Sequence, residues 1–388
     1  MRFEFATATR IVFGPGVLSE AGSLSAGMGK RAFVVTGRTT LRAGPLLDQL
    51  GKQGIECTTF CVAGEPTTHL AKEAVELARR AACEFVVSIG GGSVLDTGKV
   101  AAAMLTNTGE LEDYLEVVGA GKPLTQDSAP HITIPTTAGT GAEVTRNAVL
   151  GVPEHRVKVS MRSPLMLARL ALVDPELTYS MPPAVTASTG LDALTQLIEV
   201  YVSSEANPLT DGICREGIER AGRSLRRACE NGGDQAARQD MALASLFSGL
   251  GLANAKLGAV HGFAGPLGGM LSAAHGALCA RLLPFVMEAN VQALRRRGVE
   301  SPPLIRYNEI ARLLTGKPGA RLAEGVTWVH EICLALKVPS LAKFGLKEHD
   351  FPAVIAKARK SSSMKGNPVE LADDELLEII RRANRQMG

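Results

Sequence analysis

Asp192 and Gln196 stand four positions apart in a stretch with helical spacing, which puts both on one face of a single helix. His261 and His275 fall in the run 257–280, which carries no Asp, Glu, Lys or Arg and holds two histidines, a proline and six glycines. Imidazoles in such apolar surroundings need polar partners. One carboxylate, two imidazoles and the amide oxygen of Gln196 are a donor set for one divalent cation. The same residues are also compatible with hydrogen-bonded core histidines, the commoner fate of a buried imidazole.

A second kind of chemistry is written in two glycine-rich turns. Ile89 leads into Gly90, Gly91, Gly92 and Ser93, after an apolar run and before a helical pattern. Glycines there let main-chain N–H groups approach a pyrophosphate, and a helix N-terminus adds favourable partial charge. The spacing is not GxGxxG, so the usual dinucleotide fingerprint is absent. The other turn is Pro135, Thr136, Thr137, Ala138, Gly139, Thr140, Gly141, Ala142, Glu143. It supplies hydroxyls and N–H groups at close range, or else a helix start capped by Thr140 with Glu143 as its partner. Two such turns after two strands point to a nucleotide site at the carboxyl ends of a parallel sheet.

The elements that must position these residues alternate in the first half. Strands are expected over 31–36, 56–62, 84–89 and 131–135, and helices over 44–53, 68–82 and 93–105. That rhythm implies an α/β, doubly wound parallel sheet of Rossmann-like type with helices on both faces. From about Thr186 the pattern is helical almost throughout, so an all-α second domain is expected. The boundary is placed at Met181, Pro182 and Pro183, giving a nucleotide-binding domain over 1–183 and a helical metal- and substrate-binding domain over 184–388.

Composition narrows the classes. The 388 residues are 45% hydrophobic and 21% charged, with a net charge of +3, which excludes a disordered chain and gives no footing for a nucleic-acid partner. The 41 glycines and 4% aromatic content suit many strand-to-helix turns better than a β-sandwich. Seven scattered cysteines without CxxC spacing favour reduced thiols in the cytoplasm over a disulfide framework or a zinc ribbon. The N-terminal ten residues lack the apolar core of a secretory signal, and no run reads as a membrane helix.

Taken together, these motifs resemble the iron-containing (group III) alcohol dehydrogenases over nearly the whole chain. The resemblance rests on GGGSVLDTGK at 90–99, IPTTAGTGAE at 134–143, Asp174 with Pro175, TGLDAL at 189–194, and Val260-His261-Gly262 followed by Leu267-Gly268-Gly269 and Ala274-His275-Gly276. It implies the fold shared with dehydroquinate synthase, with the active site in the cleft between its two domains. It implies NAD- or NADP-dependent interconversion of a small alcohol and its aldehyde or ketone, assisted by a divalent metal (iron, zinc or manganese) in a homodimer. Carried over by residue, Asp192, His261 and His275 are catalytic and hold the metal, with Gln196 as fourth ligand. Gly37, Arg38, Gly91, Gly92, Ser93, Asp96, Thr136, Thr137, Thr140 and Lys158 would bind the cofactor.

Departures from the family pattern are informative. Gln196 occupies a place where the family usually has histidine, and a neutral amide is a weaker ligand for iron or zinc. Gly265 replaces a histidine four positions after His261, so no proton relay can start there. Maleylacetate reductases resemble this family and work without a metal, so metal-free reduction of an anionic unsaturated or keto acid is the alternative, with Lys365 as a candidate for binding its charge. A nucleotide-binding protein without catalysis is the second alternative. After the first strand of the pattern, Thr36, Gly37, Arg38 and Thr39 stand where many members place an aspartate on the adenosine ribose. Loss of that carboxylate, with Arg38 nearby, favours a 2′-phosphate and hence NADP(H).

Overall fold

The computed structural model describes residues 2–155, 157–297 and 302–386. They form two compact units. One runs from Ala6 to Tyr179 apart from Ala138–Thr140; the other begins at Ser180 and also takes in the segment up to Phe5 and Ala138–Thr140. The change of unit thus falls at Ser180, against the expected 183/184, and two short segments of the N-terminal half belong with the helices.

The first unit is built on a six-stranded sheet in the order β1 (Ile11–Phe13), β8 (Leu170–Val173), β5 (His131–Pro135), β4 (Phe85–Gly90), β2 (Arg31–Gly37), β3 (Glu56–Val62). Every pairing is parallel. The helices are α1 (Ala21–Leu24), α2 (Gly44–Lys52), α3 (Thr68–Arg80), α4 (Gly92–Thr106) and α5 (Leu111–Tyr114). Alternation along the strands explains the layers. Ala32 and Val34 of β2 point to the face packed by Leu46 and Leu50 of α2. Phe33 and Val35 point to the other, against Ala74 and Ala78 of α3 and Ala101 of α4. Burial on both faces is why β2 and β4 read as near-continuous apolar runs.

The four strands and three helices expected from the sequence are present, within a residue or two at their ends. Four strands were not expected. β1 and β8 are three and four residues long, too short to show a period. β6 (Asn147–Val152) and β7 (Val157–Arg162) form a separate antiparallel hairpin. The turn after β5 does not open an α-helix capped by Thr140. It ends in a single 3-10 turn, Ala142–Val144, entered through Gly141 in the left-handed region at φ 62°.

The second unit is all helical among the described residues: α6 (Pro183–Val202), α7 (Pro208–Glu230), α8 (Gln235–Asn254), α9 (Ala259–Met270), α10 (His275–Arg296), α11 (Pro302–Thr315), α12 (Leu322–Ala335), α13 (Phe351–Lys360) and α14 (Asp373–Asn384), with short 3-10 turns between. α6 lies at its centre, with fifteen buried residues, and packs against α7, α8 and α10. No single helix among the described residues is long and apolar enough to cross a membrane. All seven cysteines are free thiols.

Candidate active site

The sheet register brings the glycine turns together. Thr36 of β2 lies opposite Ile89, and Gly90 opposite Pro135, so β2, β4 and β5 end at the same edge. Thr136 N–H donates to the Gly90 carbonyl at 2.9 Å. A Cβ on Gly91 would meet Thr137 Cγ2 at 3.4 Å. Gly91, Gly92, Ser93, Thr136 and Thr137 are therefore neighbours, at the N-terminus of a fifteen-residue helix whose N-cap, Gly91, makes no side-chain cap bond. An uncapped helix start beside a second turn of hydroxyls is the setting in which a phosphate is held by main-chain donors.

The rest of the first motif makes contacts within the fold. Asp96 accepts from Val149 N–H at 2.9 Å and from Lys99 Nζ at 3.1 Å. Lys99, buried, also donates to Thr145 Oγ1 and the Asn147 carbonyl. Asp96, expected at the cofactor, thus ties α4 to β6. A Cβ on Gly98 would sit 1.8 Å from Ser88 Oγ, in the way of the buried Ser88–His131 hydrogen bond at 2.9 Å. Burial drives the His131 imidazole down to about 3, helped by the Lys99 charge, so the ring is neutral. Burial likewise pushes the Glu143 carboxyl up to about 7.

Four further cofactor candidates are Gly37, Arg38, Lys158 and Thr140. Gly37 ends β2, and Arg38 just beyond it is exposed, its guanidinium donating to the Ala63 carbonyl at 3.2 Å. Lys158 lies on β7 and pairs with Glu65 at 2.9 Å. Thr140 belongs to the segment grouped with the helical unit, where Gly139 N–H donates to Ser245 Oγ at 2.7 Å. Asp174 accepts from the N–H groups of Gly16, Leu18 and Glu176, which ties the end of β8 to the turn after β1.

Within the helical unit, α6, α9 and α10 build a different kind of site. Asp192 comes from α6, His261 from α9, and His275 and Cys279 from the first turns of α10. The ligating atoms of these four side chains all lie within 4.8 Å of one another. Asp192 Oδ1 is 3.5 Å from His261 Nε2. Cys279 Sγ lies 3.7 Å from His261 Nε2 and 3.6 Å from His275 Nε2. The two imidazole rings are 5.3 Å apart at 54°. α10 approaches so closely that a Cβ on Gly276 would stand 2.2 Å from the Ser188 carbonyl oxygen of α6.

Glu199, one and a half turns or more beyond Asp192 on α6, orients the group. Its Oε1 accepts from Val260 N–H at 2.6 Å, and its Oε2 lies 2.6 Å from His261 Nδ1. A carboxylate only accepts, so Nδ1 carries the hydrogen and Nε2 faces the cluster. The charge also compensates the start of α9, whose N-cap, Gly258, has no side chain to offer.

On α6, two buried acceptors have no hydrogen-bond partner: Asp192 Oδ1 and Gln196 Oε1. Burial pushes the Asp192 carboxyl up, but His261 and His275 outweigh it and hold it below the ordinary range. Burial opposes a charge on His261, yet Cys279, Glu199 and Asp192 outweigh it and hold the imidazole well above its usual value. Burial raises the Cys279 thiol to about 12. The pocket is thus arranged for positive charge in a dry place. An orphaned carboxylate oxygen among two imidazoles and a thiol fits a divalent cation.

The structure brings Asp192, His261 and His275 together as the sequence expects, and keeps Gln196 buried one turn along α6 from Asp192. Lys365 is exposed. Sequence reasoning missed Glu199 and Cys279. Both had a signal: Glu199 is an acidic residue at position i+7 from Asp192 in an apolar helix, and Cys279 stands at i+4 from His275.

A family model described as iron-containing alcohol dehydrogenase matches residues 8–175, and one for the C-terminal part of the Fe-containing alcohol dehydrogenase family matches 186–384. A choline dehydrogenase of Bacillus subtilis (strain 168) is 34% identical over 383 residues, 97% of this chain and 94% of that protein. The crystal structure of a 1,3-propanediol oxidoreductase superposes with a TM-score of 0.91 at 32% identity, covering 99% of this chain and all of the other. A sulfoacetaldehyde reductase from Bifidobacterium kashiwanohense, in complex with NAD+, gives 0.87 at 28% identity over 99% of both chains.

Proposed function

Since the chain belongs to the iron-containing alcohol dehydrogenase family, we propose that it is an NAD(P)-dependent oxidoreductase that interconverts a small alcohol and its aldehyde or ketone. The observation that carries this reading is the orphaned Asp192 Oδ1, buried beside the Nε2 atom of His261 in a group with His275 and Cys279. When bound, a divalent metal would polarise the substrate oxygen and the nicotinamide would give or take the hydride.

The chain's own residues do the rest. Asp192, His261 and His275 would hold the metal. Glu199 fixes the tautomer and direction of His261 and keeps its Nε2 aimed at the site. The turns at 90–93 and 136–137 offer main-chain donors and hydroxyls to a pyrophosphate. Burial of Asp192, His261 and Cys279 excludes competing water, which strengthens the electrostatic contacts among them. The relatives are named for choline, 1,3-propanediol and sulfoacetaldehyde, so support for the reaction type is stronger than for any one substrate.

The test is turnover of NADH and NADPH with a panel of short alcohols and aldehydes, alongside elemental analysis. Asp192→Ala should lose the metal and at least about 10³-fold in kcat/KM. Full activity without metal in that variant would overturn the reading and favour metal-free reduction of activated acids.

A further inference from the structure

We propose that Cys279 is a metal ligand, and that its sulfur makes this a zinc site rather than an iron site. The proposal rests on the reading that a divalent metal binds at Asp192, His261 and His275, and adds to it a donor that the sequence motifs do not contain.

Geometry carries the inference. Zinc takes sulfur at about 2.3 Å, imidazole nitrogen at about 2.0–2.1 Å and carboxylate oxygen at about 2.0–2.2 Å, in a tetrahedron. The edges of that tetrahedron are about 3.6 Å between sulfur and nitrogen and about 3.4 Å between nitrogen and oxygen. The sulfur of Cys279 lies 3.7 and 3.6 Å from the two Nε2 atoms, and Asp192 Oδ1 lies 3.5 Å from His261 Nε2. Three edges measured between side chains therefore match the figure of a four-coordinate ion, and zinc can expand to five-coordinate when a substrate oxygen joins. A thiol hydrogen bond to one imidazole would give a similar separation, but here the sulfur faces both Nε2 atoms at once, beside a buried carboxylate oxygen that has no hydrogen-bond partner.

Position and chemistry agree. Cys279 follows His275 by one turn, so α10 delivers both donors from one face. Its side chain is fully buried. Cys333, another buried cysteine, instead lies against the Ala280 carbonyl at 3.3 Å, as a thiol that needs only a weak acceptor does. Thiolate is a soft donor and favours zinc over iron, whereas the amide of Gln196 is a poor substitute for an imidazole. Binding releases the thiol proton to solvent, and the metal–sulfur bond replaces the S–H bond. Gln196 Oε1 then keeps a free acceptor lone pair one turn along α6, available to a bound hydroxyl.

The experiment uses the full chain, stripped with a chelator and titrated with cobalt(II), then with zinc against iron(II). The expected result is one equivalent of cobalt with an intense near-ultraviolet thiolate-to-cobalt band. In Cys279→Ser the band should vanish and zinc affinity should fall by at least about 10-fold. X-ray absorption of the zinc-loaded wild-type chain should show one sulfur neighbour at about 2.3 Å, a readout that needs no variant. One bound cobalt without the band, and no sulfur around zinc, overturns the sulfur ligand and leaves the metal reading standing. Absence of stoichiometric metal under all conditions overturns both.

Discussion

The two units present chemistry in opposite ways. In the α/β unit the groups gathered at the ends of β4 and β5 are main-chain N–H groups and small hydroxyls. In the helical unit they are ionisable side chains among α6, α9 and α10, three buried and His275 half-buried. A main-chain site needs only that strands end in register and that no Cβ intrudes. A side-chain site needs helices locked at close range and a second layer of partners. The first tolerates changes in most side chains; the second fails when one partner is lost.

The sharpest way to break this contrast is a methyl group at one close approach in each unit. Gly276→Ala drives a Cβ into a main-chain carbonyl that cannot step aside, and should cost about 3 kcal/mol in urea unfolding. Gly98→Ala meets the Ser88 hydroxyl, which can rotate only by giving up its buried bond to His131, and a Cβ there also stands 2.9 Å from His131 Nε2; with the gain in helix propensity its net cost should be about 2 kcal/mol. A larger loss for Gly98→Ala would reverse the comparison.

Glu199→Gln tests the second layer. It keeps the shape but weakens the hold on His261, and metal affinity measured by competition with a chelator should fall about 10–100-fold. An unchanged affinity would show that His261 needs no orienting carboxylate.

A pH series tests the buried carboxyl next to the threonine turn. The Glu143 carboxyl is raised to about 7 by burial, so the folded state binds its proton more tightly than the unfolded chain does. Its contribution is fully present below about pH 4.5 and is lost as pH rises to about 7. Glu143→Gln should match the wild type at the acid end and exceed it by about 3 kcal/mol above pH 7. Parallel stability curves for the two proteins would rule this out.

The smallest effect expected is at Arg38, exposed beyond β2. If it meets a 2′-phosphate, Arg38→Ala should raise KM for NADPH about fivefold and leave NADH alone, the size of one exposed charged contact. An unchanged ratio removes Arg38 from cofactor choice.

Much of the α/β unit was legible because its information is local. An apolar run followed by glycines states both a strand and the turn that ends it, and β2, β3, β4 and β5 fall where those runs are. β1 and β8 were not legible, since three or four residues carry no period and their pairing joins positions some 160 apart. Asp96 shows what local pattern omits: a motif residue expected at the cofactor also accepts from Val149 N–H and Lys99. Its partner on β6 is distant in sequence, so no local pattern reveals it.

What the amino-acid sequence determined by itself was therefore the alternation of β2 to β5 with their helices, the two glycine turns and three candidate donors, because each is encoded by neighbours in the chain or by a motif. Only the tertiary structure decided which side chains complete the buried site. Glu199 and Cys279 are ordinary core positions by spacing, and become a histidine clamp and a sulfur against two imidazoles only when α6, α9 and α10 pack. That outcome depends on distances between helices, and a one-dimensional pattern contains none of them.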